Sequence, residues 1–144
     1  MIALVDYDLG NIRSVSNAFA AINVDVKLAS SNQDFSSVDA IVLPGVGAFG
    51  DGMKKLNELD LVDPIRRSVL EEGKPFLGIC LGMQLLVDKG YEHGETEGLG
   101  LINGQCKVMS VQDSDPSLRV PHIGWNNVTV HQPDGLYAGL EDEP

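Results

Sequence analysis

Apolar and polar positions alternate over the first ninety residues in an order that reads strand, helix, strand, helix. "IALV" (2–5) is a short, continuous apolar run, as expected of a strand covered on both faces. "NIRSVSNAFAAI" (11–22) spaces Ile12, Val15, Phe19 and Ile22 at helical intervals. "VDVKL" (24–28) alternates like a strand, and polar "SSNQDFSS" separates it from a further strand, "AIVL" (40–43). "LVDPIRRSVLEEG" (61–73) predicts a helix with Pro64 in its first turn and Gly73 as its stop. "PFLGI" (75–79) reads as the next strand and "LGMQLLVDKG" (81–90) as a helix that Gly90 ends. From about Leu99 the pattern changes. "GLGLINGQCKVMSV" and "NNVTVH" read as short antiparallel strands, with "DSDPS" and "QPDG" as turns.

Strands that alternate with helices predict an α/β fold with a mostly parallel sheet wrapped on both faces. Ligands of such sheets gather at the carboxyl ends of the strands. Three loops leave those ends: "DYDLGN", the glycine-rich "PGVGAFGDG", and the junction that carries Cys80.

Composition narrows the function classes. The 144 residues, 43% apolar and 22% charged, suit one domain with a hydrophobic core. A net charge of −11 argues against partners made of phosphate, whether nucleic acid or an anionic membrane surface. No apolar run reaches bilayer length, and the start lacks the basic leader of a signal peptide. Two cysteines make no disulfide framework, so a cytoplasmic protein with free thiols is expected. Nothing in the pattern asks for a cofactor or a metal.

Gly-Ile-Cys-Leu-Gly (78–82) has the form of a nucleophile elbow built around a thiol. A nucleophile on a tight strand-to-helix turn brings neighbouring backbone very close, which glycines at 78 and 82 permit. Leu81 would open the helix, so its N–H is an unpaired donor able to face a developing oxyanion. An ordinary thiol is only a few per cent ionised at pH 7. Making it mostly thiolate takes roughly 2.7 kcal/mol, whereas a helix end typically supplies up to about 1, so a basic partner is also required. The plainer reading of Cys80 is a small buried hydrophobe, and for Cys106, which has no elbow around it, that reading is favoured.

"GVGAFG" (45–50) also satisfies G-x-G-x-x-G. A dinucleotide site fares badly, because Pro44 intervenes, the loop does not open the domain, and the region that should supply a ribose-binding acid reads as helix. The loop serves better as a second oxyanion donor, through Val46 or Gly47, a contribution typically worth about 2.7–4 kcal/mol in the transition state.

Four segments together, "DYDLGNIRSV", "LPGVGAFGDGM", "PFLGICLGMQLL" and "RVPHIGWN" (119–126), resemble the class I (triad) glutamine amidotransferases. The first and last resemble the glutaminase subunits of imidazole glycerol phosphate synthase, of histidine biosynthesis. The resemblance runs from Met1 to about Leu140 and implies a single glutaminase domain over 1–144. The implied fold is a three-layer, flavodoxin-like α/β sandwich with a mostly parallel central sheet. It implies that Cys80 attacks the amide of glutamine, with the amides of Leu81, Val46 and Gly47 forming the oxyanion hole. Gly47, Gln84 and Glu92 would contact glutamine, with Glu95 or Glu97 as alternatives to Glu92. Gly10, Asn11 and Trp125 would face a (β/α)8-barrel cyclase that receives the ammonia. Plainer readings stand beside these: Gln84 as a solvated helix residue, Trp125 as core.

The family's triad histidine and glutamate lie in a late F-H-P-E-like segment, preceded by an F-V-H-S-Y-like strand, and neither occurs in 1–144. His93, His122 and His131 match neither segment. The sequence is therefore expected to lack its C-terminal strands, to expose a sheet edge and core face, and to be impaired alone. Two other readings fit the same sequence: a subunit of a different triad amidotransferase, making aminobenzoate or guanylate, and a non-catalytic interaction module of the same fold.

Overall fold

The structure, a computed structural model, describes residues 1–109, 123–131 and 138. The chain parts into two compact units, Met1–Val108 and Met109–Pro144.

The first unit is built on β1 (Ile2–Val5), α1 (Ile12–Ala21), β2 (Val26–Ala29), β3 (Ala40–Gly45), α2 (Phe49–Glu58), α3 (Val62–Leu70), β4 (Phe76–Cys80) and the one-turn α4 (Leu81–Gln84). The four strands form one sheet in the order β2-β1-β3-β4. Every pairing is parallel. The α/β expectation holds. β1–α1–β2 crosses to one side and β3–α2–α3–β4 to the other, so right-handed crossovers put α1 on one face and α2 with α3 on the opposite face.

Register decides which side chains share a face. Ala3, Val5, Ile41 and Leu43 project with Ala29 onto one side, where they pack with Met53 and Leu56 of α2, Ile65 of α3, and Leu81 and Leu85. Each of the valine, leucine, isoleucine and methionine side chains among them, when fully buried, stabilises by roughly 1.5–3 kcal/mol over exposure. On the other side, Leu28, Leu4, Val42 and Leu77 form one row across the four strands. Leu4 and Val42 at its centre are buried, whereas Leu28 and Leu77 at its ends are 51% and 39% exposed. Among the described residues β4 is an edge of this sheet, and Ile79 on it is exposed with Leu77.

Several sequence expectations are corrected. The glycine-rich loop is shorter than read, because α2 starts at Phe49 and takes in Gly50 and Gly52. A Cβ at Gly52 would sit 3.0 Å from Leu85 Cδ1, so this glycine lets α2 lie close to the residues after the elbow. "SSNQDFSS" is not a bare spacer. Asn32–Phe35 forms a 3-10 turn with Phe35 buried. The Asp34 carboxylate accepts from the N–H groups of Ser30 and Ser31 and from the Ser31 hydroxyl, and pairs with Lys27 at 2.9 Å. Those contacts hold Asp34 far below the usual carboxylate range, Lys27 contributing most.

The helix expected over 81–90 is a single turn. Carbonyls that would continue it, of Leu85, Leu86 and Val87, accept instead from the N–H groups of Leu99, Leu101 and Gly100. Gly90 lies in a strand rather than at a helix end. β5 (Lys89–Gly90) pairs antiparallel with β6 (Thr96–Glu97) and parallel with β7 (Gln105–Cys106). The only part of "GLGLINGQCKVMSV" in a strand among its described residues is thus β7, and its pairing is parallel.

In the second unit, Asn126–His131 forms no strand. Ile123, Trp125 and Val128 are exposed, so no apolar face there is buried to reward ladder pairing. "DSDPS", "QPDG", "GLEDEP", His122 and the first residues of "RVPHIGWN" lie outside the described residues. No helix among the described residues is long and apolar enough to cross a membrane.

Candidate active site

Cys80 is the last residue of β4 and the residue before α4, with φ +54° and ψ −114°. Left-handed φ at a non-glycine residue costs free energy, and the packing around Cys80 enforces it. A Cβ at Gly78 would lie 2.6 Å from the backbone of Gly82 and Met83, and one at Gly82 would lie 1.8 Å from the Leu43 carbonyl oxygen. Both glycines are therefore sterically required by the turn. The turn leaves Cys80 exposed while Leu81, next in sequence, is buried.

Gly45, at the end of β3, is the register partner of Cys80. Val46 and Gly47 follow directly, so the glycine loop leaves the sheet beside the thiol. The Val46 N–H donates to the Leu9 carbonyl at 2.6 Å, which commits it and ties this loop to the one after β1. Gly47, exposed and at φ +109°, carries the N–H of the pair that this bond leaves available, alongside that of Leu81 at the helix start.

Glu92 comes to the same loop from the other side. Its Oε2 accepts the Phe49 N–H at 2.9 Å and so caps α2, whose residue before the helix, Ala48, has no side chain able to do so. The alternatives to Glu92 are engaged elsewhere: Glu95 and Glu97 both pair with Lys89, at 2.5 and 3.3 Å, and hold its ammonium well above the usual range, Glu95 first. Gln84 closes the turn that Leu81 opens and is half-buried. Gly10 packs against Pro44, where a Cβ would lie 3.1 Å from Cγ. Asn11 has a local structural job, its side chain accepting the Ser14 N–H at 3.3 Å as the cap of α1.

Trp125 belongs to the second unit and is wholly exposed, so the reading as core does not hold. His93, at φ +60°, is exposed and makes no hydrogen bond to Cys80, and His131 is exposed in the second unit.

One residue of this site escaped sequence reasoning. Tyr7, in the loop after β1, is fully buried, and its hydroxyl finds no hydrogen-bond partner. Burial, and after it the nearby Cys80, push the phenol up to about 12. The available signal was the alternation Ala3, Val5, Tyr7, which continues the core face one step beyond the strand. The other thiol, Cys106, sits half-buried in β7, and burial, then Glu92, push it up.

Comparison with known proteins adds independent findings. The family model "Glutamine amidotransferase class-I" matches residues 3–144. The chain is 46% identical over 140 residues to imidazole glycerol phosphate synthase subunit HisH of Aquifex aeolicus, covering 96% of this chain and 65% of that protein. It is 43% identical over 143 residues to subunit HisH 1 of Campylobacter jejuni, covering 99% of this chain and 70% of the relative. The chain thus spans about two thirds of the length of these relatives. A solved structure, "Crystal structure of glutamine amidotransferase", superposes with a TM-score of 0.63 at 21% identity, over 74% of this chain and 56% of that one. That likeness concerns the fold.

Proposed function

The chain belongs to the class-I glutamine amidotransferase family, and from that premise we propose that it is the glutaminase subunit of an imidazole glycerol phosphate synthase. The observation that carries the reading is the strained, exposed Cys80 at a strand-to-helix junction, with the Gly47 loop on the neighbouring strand.

The chemistry proceeds in two halves. Cys80, as thiolate, attacks the side-chain amide carbon of glutamine. The tetrahedral oxyanion is met by the N–H groups of Leu81 and Gly47, each such donor worth about 2.7–4 kcal/mol in the transition state. The carbon–nitrogen bond breaks, the nitrogen takes a proton and leaves as ammonia, and a thioester remains. Water then attacks the thioester, releasing glutamate and restoring the thiol. Gln84 and Glu92 hold the glutamine. The proton acceptor is assigned to no described residue, and a Cys80 without a bonded histidine turns over slowly.

Ammonia passes to a (β/α)8-barrel cyclase subunit, which makes imidazole glycerol phosphate and an aminoimidazole carboxamide ribotide. The pair forms a cytoplasmic heterodimer with hydrolase and lyase activities. Gly10, Asn11 and Trp125 face the cyclase, and the full exposure of Trp125 supports that role, since tryptophan is enriched at interface hot spots. The test is binding to a barrel cyclase by titration calorimetry. Saturable one-to-one binding that Trp125→Ala weakens by about tenfold or more supports the reading. Binding to an aminobenzoate or guanylate synthase partner, and not to the cyclase, overturns it.

A further inference from the structure

The buried hydroxyl of Tyr7 has no use in the chemistry above. A buried phenol normally finds a partner, because an unpaired donor forfeits its hydrogen bond to water without replacement. Tyr7 is fully buried, and its Oη has none. Its position is specific. A Cβ at Gly45 would lie 2.3 Å from Tyr7 Oη, so the hydroxyl fills the space that this glycine leaves open. The same imagined Cβ would lie 2.9 Å from Leu81 Cβ and 3.1 Å from the Gly82 nitrogen. Gly45 is the register partner of Cys80. The unpaired hydroxyl therefore lies beside Gly45, the register partner of Cys80, in the space that Leu81 and Gly82 border just after the thiol.

We propose that Tyr7 is a positioning residue for Cys80, its buried hydroxyl donating a hydrogen bond to the sulfur when the thiol ionises. In this structure the hydroxyl is not bonded to the sulfur. A negative sulfur is the acceptor that the orphan donor lacks. The phenol itself stays protonated throughout the working range, being pushed up to about 12 by burial and then by Cys80, so it acts only as a donor. Gly45 is then required because any side chain there would displace the hydroxyl.

The inference rests on Cys80 being the nucleophile, and its test uses thiol chemistry that needs no glutamine. In a Cys106→Ala background, Cys80 is alkylated with iodoacetamide across a pH series, and the labelled peptide is quantified by mass spectrometry. Tyr7→Phe keeps the ring and removes the hydroxyl. We expect the rate at pH 7 to fall about fivefold, the worth of one hydrogen bond, and to converge with the parent rate at strongly alkaline pH. Coincident rate profiles at every pH overturn the proposal. A second variant, 3-fluorotyrosine at position 7, supplies a stronger donor in the same shape. It should react faster than the parent at pH 7, and an unchanged or slower rate overturns the proposal even if Tyr7→Phe fails to fold. A Cys80 that alkylates normally but ignores a glutamine-like label refutes the glutaminase reading instead, so the two failures are distinguishable.

Discussion

Cys80 and Cys106 are the same side chain in two settings, and the contrast shows that the backbone makes the nucleophile. Cys106 occupies an ordinary strand position in β7, half-buried, with its thiol pushed up by burial and by Glu92. Cys80 is exposed at φ +54°, between two glycines that its turn cannot do without, with a helix start on one side and a glycine loop on the other. Neither strand residues nor cysteine content separates them. What separates them is a backbone strain that surrounding packing maintains at one site only.

The largest effect should come from attacking that packing. Gly82→Ala places a Cβ 1.8 Å from the Leu43 carbonyl oxygen, a backbone atom that can yield only if β3 and the elbow separate. It should cost about 3 kcal/mol or more, measured by urea unfolding, or prevent folding. Cys106→Ala, by contrast, should cost about 1 kcal/mol or less. Equal costs would mean that the junction is not under the constraint described.

Next in size is the alkaline limb of stability. An ordinary tyrosine phenol titrates at about 10, and burial pushes Tyr7 up to about 12 in the folded chain. Above the unfolded value the unfolded state loses the proton while the folded state keeps it, so stability falls as pH rises from about 10 to 12. The loss attributable to Tyr7 is on the order of 2–3 kcal/mol. Chemical denaturation at a series of alkaline pH values should show this slope, and Tyr7→Phe should flatten it. Tyr91, whose N–H donates to the Cys106 carbonyl, is only half-buried.

The smallest effect concerns the residue that touches both regions. Glu92→Gln removes the charge that, after burial, pushes Cys106 up, so Cys106 should alkylate up to about threefold faster at pH 9, burial still opposing its ionisation. The same change removes the negative charge at the start of α2 and should cost about 0.3–1 kcal/mol of stability, read from the thermal midpoint.

The elbow was legible in the sequence because everything that defines it is local: an apolar strand, glycines two places either side of a cysteine, and a helix start. The parallel sheet was legible for the same reason, each strand announcing itself in four or five residues. What escaped reading depends on distant partners. α2 opens with Gly50 and Gly52, each about 1 kcal/mol poorer than alanine in a helix, and the carboxylate that caps it stands 43 residues away in Glu92. The helix over 81–90 was overread because nothing local reveals that the N–H groups of 99–101 take its carbonyls. Of three acids in "YEHGETE", only the structure distinguishes Glu92, on the loop, from Glu95 and Glu97, on Lys89. The alternation from Ala3 and Val5 marks Tyr7 as core, but its place beside the elbow depends on the space left by Gly45, which pairs with Cys80 across two strands.

The central claim is that Cys80, and not Cys106, is a nucleophile built for glutamine. The most direct measurement incubates the protein with a diazo-ketone analogue of glutamine, with and without excess glutamine, and maps the adduct by peptide mass spectrometry. The account predicts stoichiometric labelling at Cys80, protection by glutamine, and an unmodified Cys106. Labelling spread over both cysteines, or labelling of Cys80 that glutamine does not slow, would contradict it.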